Sequence, residues 1–195
     1  NGSRHGTEVV INGGAITAAN AGEGTAIYHP QNGLLTVNGG TVSAPTGIEM
    51  RSGTLTVNAG AIKSTASTFD EKGNGSGTTM TGVAVAVSQH VTDKDLKVVI
   101  NGGTLTGPYA LYEKDLQNET GTKALEIKDG IFEGQVYSKD CTAFIKGGTF
   151  SDVSALESEE RALIYLTDDA KLSFVLGKDC TVSPFIVLES QVVNI

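Results

Sequence analysis

Residues 34–43, LLTVNGGTVS, set an Asn-Gly-Gly between two short runs in which apolar and small polar residues alternate. Alternation with period two is the pattern of a half-buried strand. Asn-Gly between two such runs is a strong turn signal, and a Gly-rich loop can also cradle phosphate. Taken alone, the stretch reads as a hairpin turn, a binding loop or one corner of a repeating unit. The remainder of the chain decides, because the motif recurs.

Aligned on their glycines, six segments share the pattern: EVVINGGAIT (8–17), LLTVNGGTVS (34–43), TLTVNAGAIK (54–63), KVVINGGTLT (97–106), ALEIKDGIFE (124–133) and TAFIKGGTFS (142–151). The second glycine falls at 14, 40, 60, 103, 130 and 148, so the intervals are 26, 20, 43, 27 and 18 residues. Units of this size are too small to bury an apolar face alone and stack into solenoids. The columns agree. Val9, Leu35, Leu55, Val98, Leu125 and Ala143 form one, and Ile11, Val37, Val57, Ile100, Ile127 and Ile145 a second. Ile16, Val42, Ile62, Leu105, Phe132 and Phe150 form a third beyond the glycines. Asn12, Asn38, Asn58 and Asn101 form a corner column whose amides can hydrogen-bond from unit to unit, as stacked Asn ladders do. Glycine at the corner supplies positive φ, which Asn also tolerates. A phosphate loop has no reason to recur along a whole chain. Six stacked hairpins would show the same columns and remain the structural competitor.

A further strand-like segment follows each corner: TAIYHPQ (25–31), TGIEMRS (46–52), TGVAVAVSQ (81–89), YALYEKD (109–115), GQVYSKD (134–140) and ALIYLTD (162–168). Three strand segments per unit describe a three-sided coil, right-handed by the chirality of parallel crossovers. With these repeats the chain resembles the right-handed parallel β-helices of the pectate-lyase-like superfamily. Within it, the NGGT-V and TGI-type repeats are similar to the Gly/Thr-rich, adhesin-like repeat regions of bacterial surface proteins. The resemblance spans nearly all 195 residues, and no catalytic motif comes with it. Lyases of that superfamily use clustered Asp for calcium and a basic residue for proton abstraction; here Lys and Arg are spread singly and no Asp cluster repeats on three coils.

The expected fold is therefore all-β: a single domain over 1–195, a right-handed parallel β-helix of about seven coils, ~4.8 Å per coil. Two interruptions are expected. Residues 64–80, STASTFDEKGNGSGTTM, offer no alternating apolar strand and read as an inserted surface loop, dispensable for folding because closure entropy varies slowly with loop length. In SDVSALESEERALIY (151–165), Ser154 as an N-cap with Glu157, Glu159 and Glu160 behind it reads as a capping helix over 154–161.

Chemistry is sparser. Asp70, Glu71 and Asn74 could offer oxygens to calcium, but their spacing matches neither an EF-hand nor a GGxGxD-type repeat. His5, His29 and His90 are scattered, so neither a metal nor a nucleophile–base pair is supported. Cys141 and Cys180 share the context KDCT and read as equivalent positions of two coils, a small buried pair, bondable only if the coils are adjacent. No cofactor and no metal site is indicated. The tyrosines are more informative: Tyr28, Tyr112, Tyr137 and Tyr165 occupy one place in the second element, with Glu49 in the matching place of TGIEMRS. Tyr28, Glu49, Tyr112 and Tyr137 are the candidate ligand-binding row, suited to the apolar faces of sugar rings if outward, and a self-stacked ladder if covered.

The formal charge is −8 with a sequence pI near 4.8 and no basic run, which argues against nucleic acid as a partner. No apolar run is long enough for a membrane-spanning helix, and NGSRHGTEVV (1–10) has no signal-peptide core, so the chain reads as a mature or excised part of a larger surface protein. The function expected is non-enzymatic: a secreted or cell-surface module for adhesion or ligand presentation, with glycans or host cell-surface ligands as partners. The alternative is a carbohydrate-active protein, either a glycan-binding module or an atypical lyase or glycosidase. Ice binding through Thr41, Thr104 and Thr149 is disfavoured because Ala15, Ala61 and Ile131 interrupt that row.

Overall fold

The computed structural model describes residues 5–18, 24–71, 80–89, 94–115, 120–141, 144–151, 156–158 and 172–174. Among them the chain is all-β, without a helix. The first three repeats each contribute three strands: β1 (His5–Ile11), β2 (Ala15–Thr17) and β3 (Thr25–His29); β4 (Asn32–Val37), β5 (Thr41–Ala44) and β6 (Thr46–Met50); β7 (Gly53–Val57), β8 (Ala61–Ser64) and β9 (Val83–Val87). In the next two, the second and third segments fuse: β10 (Leu96–Ile100) and β11 (Thr104–Glu113), then β12 (Lys123–Ile127) and β13 (Ile131–Ser138). β14 (Gly148–Phe150), β15 (Leu156–Ser158) and β16 (Leu172–Phe174) follow.

Every ladder between these strands is parallel and joins a strand to its counterpart in a neighbouring repeat. One sheet runs β1-β4-β7-β10-β12. The larger one runs β16-β14-β13-β11-β8-β5-β2 and takes in β3, β6, β9 and β15 as well. The hairpin alternative fails on this point, since the Asn-Gly-Gly corner does not fold β1 back against β2. The corner turns the chain from one sheet into the other. Gly40 has φ +85, and a Cβ there would lie 2.6 Å from the Gly14 carbonyl oxygen. Two demands meet at that position, a left-handed backbone and a close approach of the preceding repeat, and only glycine satisfies both.

The register carries the columns as the sequence set them. Val9 pairs with Leu35, Leu35 with Leu55, Leu55 with Val98 and Val98 with Leu125. Ile16, Val42, Ile62, Leu105, Phe132 and Phe150 are likewise linked rung by rung. Alternate residues face one shared core that gathers the inward positions of all three strand sets, from Ile11 to Phe150. Its phenylalanines stack, Phe132 on Phe150, with ring centroids 4.7 Å apart and planes 9° off parallel. Each aliphatic side chain buried this way is worth ~1.5–3 kcal/mol. The Asn ladder is present: Nδ2 of Asn38, Asn58 and Asn101 donates to Oδ1 of Asn12, Asn38 and Asn58 at 2.9, 2.8 and 2.8 Å.

The 43-residue interval is one repeat with an insertion, since β8 ends at Ser64 and β9 of the same repeat begins at Val83. Residues 65–71 hold no strand, only an isolated antiparallel bridge from Asp70 to Thr81. The helix expected over 154–161 is not formed where the chain is described. Leu156–Ser158 is β15, laid parallel on Val136, Tyr137 and Ser138 of β13. A helix of two turns is unstable by itself, whereas the edge of β13 offers backbone groups free to pair with a further strand. The rest of 154–161 lies outside the described residues, as does Cys180.

Candidate binding surface

The candidate row is a true register line. Tyr28 pairs with Glu49, Glu49 with Ala86, Ala86 with Tyr112, Tyr112 with Tyr137 and Tyr137 with Glu157. Its neighbours one residue earlier, Ile48, Val85, Leu111 and Val136, belong to the main core. Strand alternation therefore points the row to the other face. The four predicted residues do share one face, with Ala86 separating Glu49 from Tyr112. Tyr165 lies outside the described residues.

Facing away from the core does not leave this row open. The insertion lies over it. Met80, Val83, Ala86 and Tyr112 form a second, smaller apolar cluster, joined by the half-buried Phe69, Tyr109 and Tyr137. The Phe69 ring sits 4.5 Å from that of Tyr109 and 4.8 Å from that of Tyr112. Tyr112 stacks on Tyr137 at 4.8 Å with planes 17° apart, and meets Tyr109 edge-on at 5.0 Å. Tyr112 is 4% exposed and Glu49 0%, so the middle of the row is covered, while Tyr28 and Tyr137 remain half-exposed.

Polar contacts fasten the insertion down. The Tyr112 hydroxyl donates to Glu71 Oε1, and Lys114 Nζ reaches the same carboxylate at 3.0 and 3.2 Å. Burial pushes Glu71 upward, but the hydrogen bonds from Tyr112 and Lys114 and the charges of Lys114 and Lys139 outweigh it and hold the carboxyl below its ordinary value. Burial, then the Glu71 carboxylate, raise the Tyr112 hydroxyl well above the usual phenol range. Thr46 Oγ1 donates to the Met80 carbonyl beneath the returning strand. Of the calcium candidates, Glu71 is thus engaged by a phenol and an ammonium, and Asn74 lies outside the described residues.

Glu49 lies 3.6 Å from the Arg51 guanidinium, two residues on along the same face, and both side chains are buried. Burial raises the Glu49 carboxyl to about 7, with the Arg51 charge pulling the other way. A second polar cluster sits two and three rungs further on, at Glu113 and Ser138. Glu113 Oε2 accepts from Ser138 Oγ at 2.6 Å and the Asp140 amide at 2.9 Å, while Ser138 Oγ accepts from the Cys141 amide. Lys123 Nζ lies 2.9 Å from Asp140 and 3.5 Å from Asp115. Burial raises Glu113 and pushes the Cys141 thiol up to about 12, which leaves it a protonated, inert core residue. His29 is buried, its Nδ1 3.2 Å from the Ser52 carbonyl oxygen, and burial lowers its pKa.

The sequence placed Tyr28, Glu49, Tyr112 and Tyr137 together but gave no sign of Phe69, Glu71 or Tyr109 beside them. Phe69 is an aromatic ring in an otherwise Ser/Thr/Gly-rich insertion, and that isolation was the available signal. Tyr109 was obscured because β11 shifts register between Thr106 and Leu111, so simple counting by twos fails there. Among the described residues no group of three His, Cys, Asp or Glu side chains is arranged to hold a metal ion. No family model, no curated protein and no solved structure matches the chain.

Proposed function

We propose that this chain is a right-handed parallel β-helix of about seven coils, of the pectate-lyase-like kind, serving as a non-enzymatic secreted or cell-surface module for adhesion or ligand presentation. The observation that carries the reading is the unbroken series of parallel ladders, which sets side chains in rows at strand spacing on a rigid support. Such rows suit repeated recognition of an extended ligand. The engagement of titratable groups also favours a scaffold: Glu71, Glu113 and Lys123 are held by fixed partners within the chain. A second reading, a glycan-binding module, draws on the half-exposed rings of Tyr109, Tyr137 and Phe69 beside Glu71 and Lys114. Aromatic faces flanked by a carboxylate and an ammonium are what a sugar ring's apolar face and hydroxyls require.

A glycan array, with binding to immobilised cell-surface glycoproteins run beside it, tests both. Tyr137→Ala should weaken binding per folded molecule by ~1–2 kcal/mol, as a moderate contact residue does, with only a small fall in melting temperature from the lost stack on Tyr112. Tyr112→Ala should instead lower stability. Binding that ignores Tyr137→Ala places the ligand elsewhere, and turnover of any polysaccharide by the wild type overturns the non-enzymatic reading.

A further inference from the structure

We infer that Lys123 and Asp140 are joined by an intramolecular amide cross-link, formed by loss of water between the Lys123 amine and the Asp140 carboxyl, with Glu113 as the proton carrier. The bond closes the repeat carried by β12 and β13 into a covalent ring. Like a disulfide, it restricts the unfolded chain, and a pull on the two ends of the chain cannot unwind that repeat. It does not depend on the aromatic row or on any ligand there.

The fold brings the two side chains together from opposite ends of one repeat. Lys123 opens β12, Asp140 lies two residues past the end of β13, and the chain between them makes one circuit. Lys123 Nζ is 2.9 Å from Asp140 Oδ2 and 3.5 Å from Asp115 Oδ2. Asp115 stands two residues past Glu113, as Asp140 stands two past Ser138, the register partner of Glu113. One amine thus reaches carboxylates on two successive rungs. Glu113 is fastened to the residue that reacts, since its Oε2 accepts from the Asp140 amide at 2.9 Å. Its Oε1 makes no hydrogen bond among the described residues. The site is nearly dry: Glu113 is 0% exposed and the side chains of Asp115 and Lys123 2% and 11%. Asp140, at 34%, forms the rim through which the released water leaves. Groups held in contact and shielded from solvent react at effective concentrations that no surface ion pair attains.

The chemistry balances with the groups present. Burial pulls the Lys123 amine downward, but the hydrogen bond and charge of Asp140, then the charges of Asp115 and Glu113, outweigh it and keep an ammonium in the unreacted chain. Passing one proton from Nζ to Asp140 turns the ion pair into an amine and a carboxylic acid, an exchange that a dry site makes less costly than water does. The Nζ lone pair then bonds to Asp140 Cγ, and a second Nζ proton passes to Glu113. Burial raises the Glu113 carboxyl, which suits it to take up a proton and give it back. On collapse the C–O bond breaks, and the hydroxyl takes that proton and leaves as water. Nζ loses two hydrogens and Asp140 one oxygen, nothing is oxidised or reduced, and Glu113 ends as it began. Two partly buried charges become a neutral amide, which removes their desolvation cost, and its N–H can donate to Asp115.

Mass spectrometry of the purified full chain, intact and after trypsin, reads the bond directly. The wild-type chain is expected to be lighter than its sequence by one water. Trypsin, blocked at Lys123, is expected to release DLQNETGTKALEIK (115–128) joined to DCTAFIK (140–146). Asp140→Ala is expected to show the full mass of its sequence. Glu113→Gln keeps an acceptor for Ser138 and for the Asp140 amide, so it is expected to melt cooperatively and yet show its full mass. A wild-type chain at full mass would overturn the proposal, and that measurement involves no variant. So would a water lost within 115–128 alone, which puts the bond on Asp115, or within 129–139, where Asp129-Gly130 can cyclise by itself. A cross-link that forms equally in Glu113→Gln would overturn the role of Glu113.

Discussion

Asn58 both donates to Asn38 and accepts from Asn101, so it is the central link of the ladder. The amides are solvent-exposed, and each hydrogen bond is worth ~1 kcal/mol or less beyond its exchange with water. Asn58→Ala should lower stability by ~1 kcal/mol in urea denaturation, with an unchanged m-value; an unchanged midpoint would mean the ladder carries no stability. Glu49 makes the opposite kind of contribution. Its carboxyl titrates near 7 in the fold, against an ordinary 4.5, so the folded chain holds the proton more tightly than the unfolded one. Its stabilisation is full below pH 4.5 and is lost as pH rises toward 7. Glu113, also raised by burial, acts in the same sense, whereas Glu71 and Glu126, held low, lose their contribution only as pH falls below their ordinary value. Glu49→Gln should therefore flatten the decline of melting temperature between pH 4.5 and 7; an equal decline in the variant would assign it to other groups. The columns, the corner glycines and the Asn ladder were legible because each repeats and so declares its environment several times. The ion pair of Glu49 with Arg51 was not, because it occurs once and depends on what covers it.

At the scale of elements, parallel pairing decides what the sequence could and could not reveal. Strands with a counterpart in the next repeat were readable by column, while segments without one were not. Residues 154–161 show this: the Glu-rich composition suggested a helix, yet the edge of β13 takes Leu156–Ser158 as a strand. The insertion shows it again. Its backbone is a loop, but Phe69 and Met80 pack on Tyr109, Tyr112, Val83 and Ala86, so the expectation that it can be dispensed with changes. Phe69→Ala should cost ~1–3 kcal/mol, less than a full core Phe→Ala because the ring is only half buried. At this chain length that corresponds to a fall in melting temperature of several °C. Replacing 65–80 with a Gly-Ser turn should cost more, since it also strips Met80 and the Glu71 contacts from Tyr112. A replacement variant that melts with the wild type would return the insertion to a passive loop.

For the molecule as a whole, the decisive feature is that one column changes character along its length. Val9 and Val98 occupy the same column and differ only in how many repeats flank them, and their exposures are 40% and 0%. A carboxylate at position 98 would be enclosed by Leu55 and Leu125 along the column, with no partner. An unpaired charge in such surroundings costs several kcal/mol, a large fraction of the ~5–15 kcal/mol that holds a typical domain together. At position 9 the same carboxylate can turn into solvent at the end of the stack and lose little. Val98→Asp should therefore give a chain without the far-ultraviolet β signal or a cooperative melt, and Val9→Asp a chain that melts within a few °C of the wild type. If repeats contribute through nearest-neighbour stacking, the cost of one substitution repeated down this column should rise steeply between position 9 and position 35 and then level off. Equal penalties at 9 and 98 would mean that the first repeat is as enclosed as the fourth, and would contradict the difference in exposure along the column.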